Sequence, residues 1–136
     1  MKKLLATILV IFTVLALLSA CSTQSSVTDT QWQLSRLNGK TPLAETTVTL
    51  NFSKDAIGGS DGCNSYGGSY ASTNETITFG DDIFSTEMYC TDEIAVQSQA
   101  YYQALNQTSV YTIGDGKLAL MDGNGLVLAE FVTNQN

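Results

Sequence analysis

Short stretches of alternating apolar and polar residues most constrain the fold of this chain. Residues 47–53 show the clearest alternation, which is typical of a strand with one buried face. Its apolar members are Val48, Leu50 and Phe52. Trp32 and Leu34 alternate in the same way ahead of an Asn38-Gly39 turn signal. About seven short strands in roughly 105 residues is the spacing of a mainly β domain.

The Gly-rich segment 58–68 interrupts the strand pattern. Gly58-Gly59, Gly62 and Gly67-Gly68 surround the Cys63-Asn64 pair. Glycine permits positive φ angles and close approach of two backbones. The segment therefore predicts a tight corner between strands.

Only residues 91–107 show a helical period. Thr91 is a suitable N-cap, and Asp92 and Glu93 place negative charge in the first turn, where the helix dipole favours it. The apolar residues that share one face are Ile94, Tyr101 and Leu105. This segment predicts one helix that covers the sheet.

Two turn signals divide the C-terminal third into a three-strand meander. They are Gly114-Asp115-Gly116 and the segment 122–125. If Asn124 and Gly125 form a two-residue turn, Leu118 opposes Phe131 and Leu120 opposes Ala129. The order of strands, helix and meander predicts a mainly β (α+β) domain, either an antiparallel curved sheet or a cracked β-barrel with one covering helix.

The first twenty residues have the composition of an export signal. Lys2 and Lys3 precede an apolar run over residues 4–18, which is shorter than the roughly 20 residues that usually span a bilayer. A cleaved signal peptide over residues 1–20 is therefore favoured over an uncleaved anchor. Leu18-Ser19-Ala20-Cys21 resembles a bacterial lipobox, in which Cys21 is acylated and becomes the new N-terminus.

The lipobox predicts a lipid-anchored protein of the bacterial cell envelope, attached to the membrane through the lipid on Cys21. Residues 21–28 are polar apart from Val27 and predict a lipidated tether, and residues 29–134 form the domain. Ser22 after the cysteine resembles the pattern for export to the outer membrane, on its periplasmic face, if the host has two membranes.

Charge and composition exclude several classes of function. Without the leader, the chain keeps four basic residues against 13 acidic ones, which gives a side-chain charge of −9. Four scattered cations cannot form a phosphate-binding patch, so nucleic acid is a poor partner. The chain has no histidine, which removes Ser/His/Asp and Cys/His catalysis and the commonest zinc ligand. We predict no enzymatic activity, no cofactor and no metal.

The predicted export of the protein also determines the chemical state of its three cysteines. Lipid on Cys21 leaves Cys63 and Cys90 as an even pair in an oxidising environment, which predicts a disulfide. The alternative is two buried free thiols that pack as small apolar groups.

The motifs around these cysteines resemble the META domain family of HslJ-like heat-shock proteins. They are Gly62-Cys63-Asn64-x-Tyr66-x-Gly68-x-Tyr70 and Ser85-Thr86-x-Met88-x-Cys90, with Trp32-x-Leu34 and Tyr102-x-x-Leu105 at either side. The resemblance covers nearly the whole mature chain. It implies export or envelope anchoring, links to heat shock and novobiocin tolerance, and no established enzymatic activity. The implied fold is a cracked barrel similar to that of pilot lipoproteins with an apolar cavity.

Five motif residues are candidate contact residues: Asn64, Tyr66, Tyr70, Thr86 and Met88. Asn64 and Thr86 either contact a ligand or satisfy backbone groups at a turn, and the second interpretation is favoured. The tyrosines either line a cavity mouth or pack in the core with the hydroxyl at its rim, which is also favoured. Asp61, Asp81 and Asp82 lack the spacing of a cation loop, which favours a solvated acidic turn.

Three functional hypotheses follow. The first is a non-enzymatic envelope lipoprotein that supports stress or antibiotic tolerance by contacting another envelope component. The second is a pilot-like carrier that holds a lipid or a partner helix in a barrel cavity. Large side chains such as Trp32, Phe52 and Phe131 would exclude that cavity if they filled the barrel. The third is a hydrolase with Ser60 or a free Cys63 as nucleophile, which lacks an imidazole partner.

Overall fold

The computed structural model describes residues 26–134, which form nine strands and one helix. The strands are β1 (Gln31–Leu37), β2 (Thr49–Phe52), β3 (Ala56–Ser60), β4 (Ser65–Ser72), β5 (Ile77–Phe79), β6 (Phe84–Ser85), β7 (Val110–Gly114), β8 (Lys117–Met121) and β9 (Val127–Thr133), and the helix α1 is Asp92–Gln107. The mainly β prediction and the position of the helix are confirmed. Thr91 occupies the N-cap position without a side-chain capping bond.

The strands form a nearly closed antiparallel barrel of eight strands. Their order is β5-β4-β3-β2-β1-β9-β8-β7, and the short β6 pairs with the start of β4. The two ends of this order meet at a bridge between Thr76 and Val110. There the Ile77 amide donates to the Ser109 carbonyl and the Tyr111 amide to the Glu75 carbonyl, each at 3.1 Å. This closure confirms the cracked-barrel prediction.

Large side chains fill the interior of the barrel. Trp32, Phe52 and Phe131 are buried in one apolar cluster, and the helix adds Tyr101 and Leu105 to it. The helix packs against β1, β5, β8 and β9. Since each fully buried large apolar side chain contributes roughly 1.5–3 kcal/mol, this cluster is the main source of stability.

The C-terminal meander has the predicted register but a different turn. Leu118 opposes Phe131 and Leu120 opposes Ala129, as predicted. The loop has three residues instead of two, with Gly125 at φ 83° and the Asp122 amide bonded to the Leu126 carbonyl at 3.0 Å. A bulge between the Leu120 and Met121 pairs then restores the register.

The Gly-rich segment is mostly strand, which corrects the prediction of one continuous corner. Only residues 61–64 form the corner, while Gly59 lies in β3 and Gly67 in β4. A Cβ on Gly59 would overlap the backbone oxygen of Thr49, and a Cβ on Gly67 would lie 2.8 Å from the Phe84 ring. Close approach to neighbouring groups therefore explains these glycines.

The packed domain begins earlier than the sequence predicted. Val27, assigned to the tether, is fully buried, and the Thr28 hydroxyl lies 3.2 Å from the Tyr70 hydroxyl. Residues 1–25, which include the predicted signal peptide and Cys21, lie outside the described residues. Within residues 26–134, no helix is both long and apolar enough to cross a membrane.

Candidate functional site

A disulfide joins the corner after β3 to the residue before α1. Cys63 and Cys90 are bonded, with their Cα atoms 6.1 Å apart and a separation of 27 positions in the sequence. The predicted disulfide is therefore confirmed, and the alternative of two free thiols is wrong. The bridge also means that Cys63 is not a free nucleophile.

Asn64 and Thr86 hold the segment that leads to Cys90. The Asn64 Oδ1 atom accepts hydrogen bonds from the Thr86 hydroxyl at 2.9 Å and from the Met88 amide at 2.7 Å. The Thr86 hydroxyl oxygen in turn accepts from the Ser65 amide at 3.2 Å. Both side chains satisfy backbone groups, which is the interpretation that the sequence favoured. They thereby fix the position of Met88.

Asp61 is buried, which corrects the prediction that it lies in a solvated acidic turn. Its side chain is 1% exposed. Its Oδ1 atom accepts from the amides of Cys63 at 2.8 Å and Asn64 at 2.6 Å. Its Oδ2 atom accepts from the hydroxyls of Ser98 at 2.6 Å and Tyr102 at 2.8 Å. The carboxylate therefore ties the disulfide corner to α1.

These hydrogen bonds also set the ionisation of Asp61. Burial by itself raises the pKa of a carboxyl group, but the bonds from Ser98, Asn64, Tyr102 and Cys63 together hold the pKa of Asp61 below its ordinary value. Burial and the neighbouring Asp61 carboxylate raise the pKa of Tyr102. Asp61 thus stays ionised with both oxygens engaged, which suits a structural anchor.

The sequence reasoning missed the partners of Asp61 on the helix. Ser98 lies four positions after Ile94 and three before Tyr101, so it is a polar residue on the apolar face of α1. A polar side chain on a core-facing stripe needs a buried partner. The position of Ser98 on the apolar face was therefore the one signal in the sequence that pointed to a buried partner.

Tyr66 and Tyr70 pack in the core, as the favoured interpretation held. The Tyr66 hydroxyl donates to the Thr49 carbonyl at 2.9 Å and lies 2.6 Å from the Tyr101 hydroxyl. Burial raises the pKa of both Tyr66 and Tyr101. The Tyr70 hydroxyl donates to the Ser53 carbonyl at 2.8 Å, and its ring lies 4.9 Å from that of Phe52.

A groove runs along the outer face of α1, and we call it the α1 groove. Its larger part, about 710 Å³, lies between the helix and the disulfide region, and a smaller part of about 290 Å³ lies between the helix and residues 80–85. Tyr102 and Asn106 line both parts, so the two adjoin. Helix residues that line it are Asp92, Ala95, Val96, Ser98, Gln99, Tyr102, Gln103 and Asn106.

Exposed apolar side chains line the α1 groove. Phe84 is 69% exposed, Met88 64% and Val96 66%. Two candidate motif residues are exposed, Thr86 and Met88, and Met88 is the apolar one. Asn64 is half-buried, and Tyr66 and Tyr70 are buried in the core. The structure therefore brings Met88, Asn64 and Thr86 together and places Tyr70 away from the groove, against Phe52.

The charge around the α1 groove is acidic. Asp81 and Asp92 line it, and none of its lining residues is Lys or Arg. From Asp55 to Gly116 the sequence has nine acidic residues and no basic one. In the part of the chain that the structure describes, no three acidic or cysteine side chains gather into a group that could hold a metal ion. The site offers an apolar surface with an acidic rim.

The family follows from a comparison with family models. The model of the META domain matches residues 25–135. The chain belongs to the META domain family. This match spans the barrel, the disulfide and the α1 groove.

Two solved structures are similar to this META domain. One is an NMR structure of a protein from Burkholderia xenovorans, with a TM-score of 0.62 and 27% identity over 81% of this chain and 85% of that one. The other is an NMR structure with a TM-score of 0.63 and 18% identity over 82% of this chain and 94% of that one. No curated protein sequence gives a significant match.

Proposed function

We propose that this META domain protein is a non-enzymatic lipoprotein of the bacterial envelope that acts by binding another envelope component through the α1 groove. The observation that carries the proposal is the exposure of Phe84, Met88 and Val96 along one groove. A contiguous exposed apolar surface with a polar rim is typical of an interaction site.

The predicted lipid on Cys21 would hold the domain close to the membrane. Because Val27 is buried, only residues 22–26 remain as a spacer. Five residues reach at most about 17 Å when fully extended. The domain would therefore meet its partner near the membrane to which it is anchored, on the periplasmic face of the outer membrane if the host has two membranes.

Binding is a better proposal than catalysis for these residues. The chain has no histidine, Cys63 is in a disulfide, and all four hydrogen bonds of the Asp61 carboxylate are to groups of the protein itself. A general base or nucleophile needs a free lone pair directed at substrate. Neither the bridged Cys63 nor the fully bonded Asp61 offers such a lone pair.

The pilot-like carrier is the weaker proposal. It requires a cavity inside the barrel, and Trp32, Phe52 and Phe131 occupy the interior as part of the core. A lipid or a partner helix would have to displace them. An exposed groove on α1 needs no such rearrangement.

Gene deletion, followed by complementation with the wild-type gene or with variant genes, tests the proposal. We expect the deletion strain to lose tolerance to heat and novobiocin, and the wild-type gene to restore it. The double variant Met88→Ser/Val96→Ser should fail to restore it at equal protein level. The matched control Val132→Ser removes an apolar side chain that is 40% exposed on β9, outside the α1 groove, and should restore tolerance fully. Unchanged tolerance on deletion, or rescue by the double variant, would refute the proposal.

Lipid attachment has its own test. Cells labelled with radioactive palmitate should incorporate label into the wild-type protein and not into a Cys21→Ser variant. The variant should also separate from membranes on fractionation. Label that persists in the variant would contradict the assignment of Cys21.

A further inference from the structure

We infer that the occupant of the α1 groove is a cationic amphipathic segment of a partner polypeptide, an inference that rests on the proposed function. Apolar side chains of the segment would contact Phe84, Met88 and Val96. Its basic side chains would face Asp81 and Asp92.

The apolar part of the groove is preformed. Met88 is held by the bond from its amide to Asn64 and by the nearby disulfide, and Val96 stands on the helix. A surface that is already ordered loses little conformational entropy on binding. Methionine in addition adapts its shape to different apolar partners.

The charge of the groove selects the sign of the partner. Asp81 and Asp92 line it, and Glu87 and Glu93 are exposed on the same two segments of the chain. With no basic residue in the lining, anionic lipid headgroups are repelled and a cationic partner is attracted. This charge balance argues against an anionic lipid as the occupant.

The polar side chains of the groove favour a polypeptide over an acyl chain. Gln99, Gln103 and Asn106 lie along the same face of α1 as Val96. A covering hydrocarbon chain would leave their amides without hydrogen-bond partners, at a cost in free energy. Polar side chains of a peptide supply such partners.

The length of the groove sets the length of the segment. The lining residues run from Asp92 to Asn106 along the helix, which corresponds to about 21 Å at a rise of about 1.5 Å per residue. A helical segment of roughly 14 residues matches this length. The expected pattern is apolar residues three and four apart, with Lys or Arg beside them.

Peptide binding to the full mature chain in phosphatidylcholine nanodiscs tests the inference. The probe is a fluorescent 14-residue peptide of Leu and Lys with all Leu on one helical face. One control peptide replaces each Lys by Glu, another has the same composition in scrambled order, and empty nanodiscs give the blank. We expect the cationic amphipathic peptide to bind at least tenfold more tightly than either control, and its affinity to fall with added salt.

Matched variants locate the peptide. Met88→Ser/Val96→Ser should weaken binding at least tenfold, and Asp81→Asn/Asp92→Asn about three- to tenfold with a smaller salt dependence. Val132→Ser and Asp115→Asn, which lie outside the groove, should change binding less than twofold. Equal binding of the cationic and anionic peptides, or no effect of the groove variants, would overturn the inference.

The two proposals fail in different ways. If the peptide does not bind but the groove variants still fail to restore stress tolerance, the cationic partner is refuted and the binding function of the groove stands. If the peptide binds in the groove but the groove variants restore tolerance, the proposed role in tolerance is refuted instead.

Discussion

Replacement of Asp61 by Asn tests the structural account of the disulfide corner. The variant keeps the size of the side chain but removes its charge. Oδ1 still accepts from the amides of Cys63 and Asn64, whereas the hydroxyls of Ser98 and Tyr102 would have to rotate and accept from the new NH₂ group. Every bond to the carboxylate is changed without a cavity being formed.

The expected loss follows from the number of bonds. A hydrogen bond to a charged group contributes about 1.5–3 kcal/mol and a neutral one about 0.5–1.5 kcal/mol, so four weakened bonds cost about 4 kcal/mol. Removing a buried charge offsets part of this cost. We expect the free energy of unfolding at pH 7 to fall by about 2–3 kcal/mol.

The pH dependence of the loss gives a sharper test. Because hydrogen bonds hold the pKa of Asp61 below its ordinary value, its stabilising contribution is complete above about pH 4. It is lost as the pH falls through the pKa of the folded state. The difference between wild type and Asp61→Asn should therefore shrink below about pH 4.

Urea unfolding without reducing agent, followed by tryptophan fluorescence from pH 7 to pH 2, measures both quantities. Asp115→Asn is the matched control, because Asp115 is exposed in the turn between β7 and β8. We expect it to change stability by less than about 0.5 kcal/mol. An Asp61→Asn variant as stable as wild type at pH 7, or a loss that is constant down to pH 2, would refute the reasoning.

Three further predictions concern stability, each measured by urea unfolding. Cys63→Ala/Cys90→Ala should lower the free energy of unfolding by about 3.5 kcal/mol, from the chain entropy of the loop; a loss below about 1 kcal/mol would contradict this. Val27→Ala should lower the free energy of unfolding by about 2 kcal/mol, since Val27 is buried. The same substitution in an unpacked tether would leave this free energy unchanged. Gly59→Ala should cost more than about 2 kcal/mol, while Gly114→Ala, with open space around its Cα, should be nearly neutral; equal effects would refute the close approach of β2 and β3.

Local patterns predicted many elements of the fold, but not β3 or the start of β4, which lie in the Gly-rich segment. Alternation in residues 47–53 predicted β2 because one face of that strand is buried, and the helical period predicted α1 because Tyr101 and Leu105 point to one core. The pairing register of the meander was predicted correctly, although the two-residue turn from which it was predicted is absent and the loop has three residues. In each case neighbours in sequence carry the signal.

Contacts between distant segments were beyond the sequence patterns. Closure of the barrel depends on one bridge between Thr76 and Val110, which no local period reveals. Asp61 is flanked by glycine and serine, as a solvated turn would be, and becomes buried only because α1 packs over it. The α1 groove likewise depends on the packing of segment 84–90 beside α1, where Asn64 and the disulfide hold Met88.

Photo-crosslinking in living cells tests the central claim, that the α1 groove binds an envelope component, most directly. A photoreactive amino acid would replace Val96, which lines the groove, or Val132, which lies outside it; both side chains are exposed. The account predicts a discrete adduct with an envelope polypeptide from position 96 and none from position 132. It also predicts that Met88→Ser weakens the adduct. No adduct from position 96, or the same adducts from both positions, would contradict it.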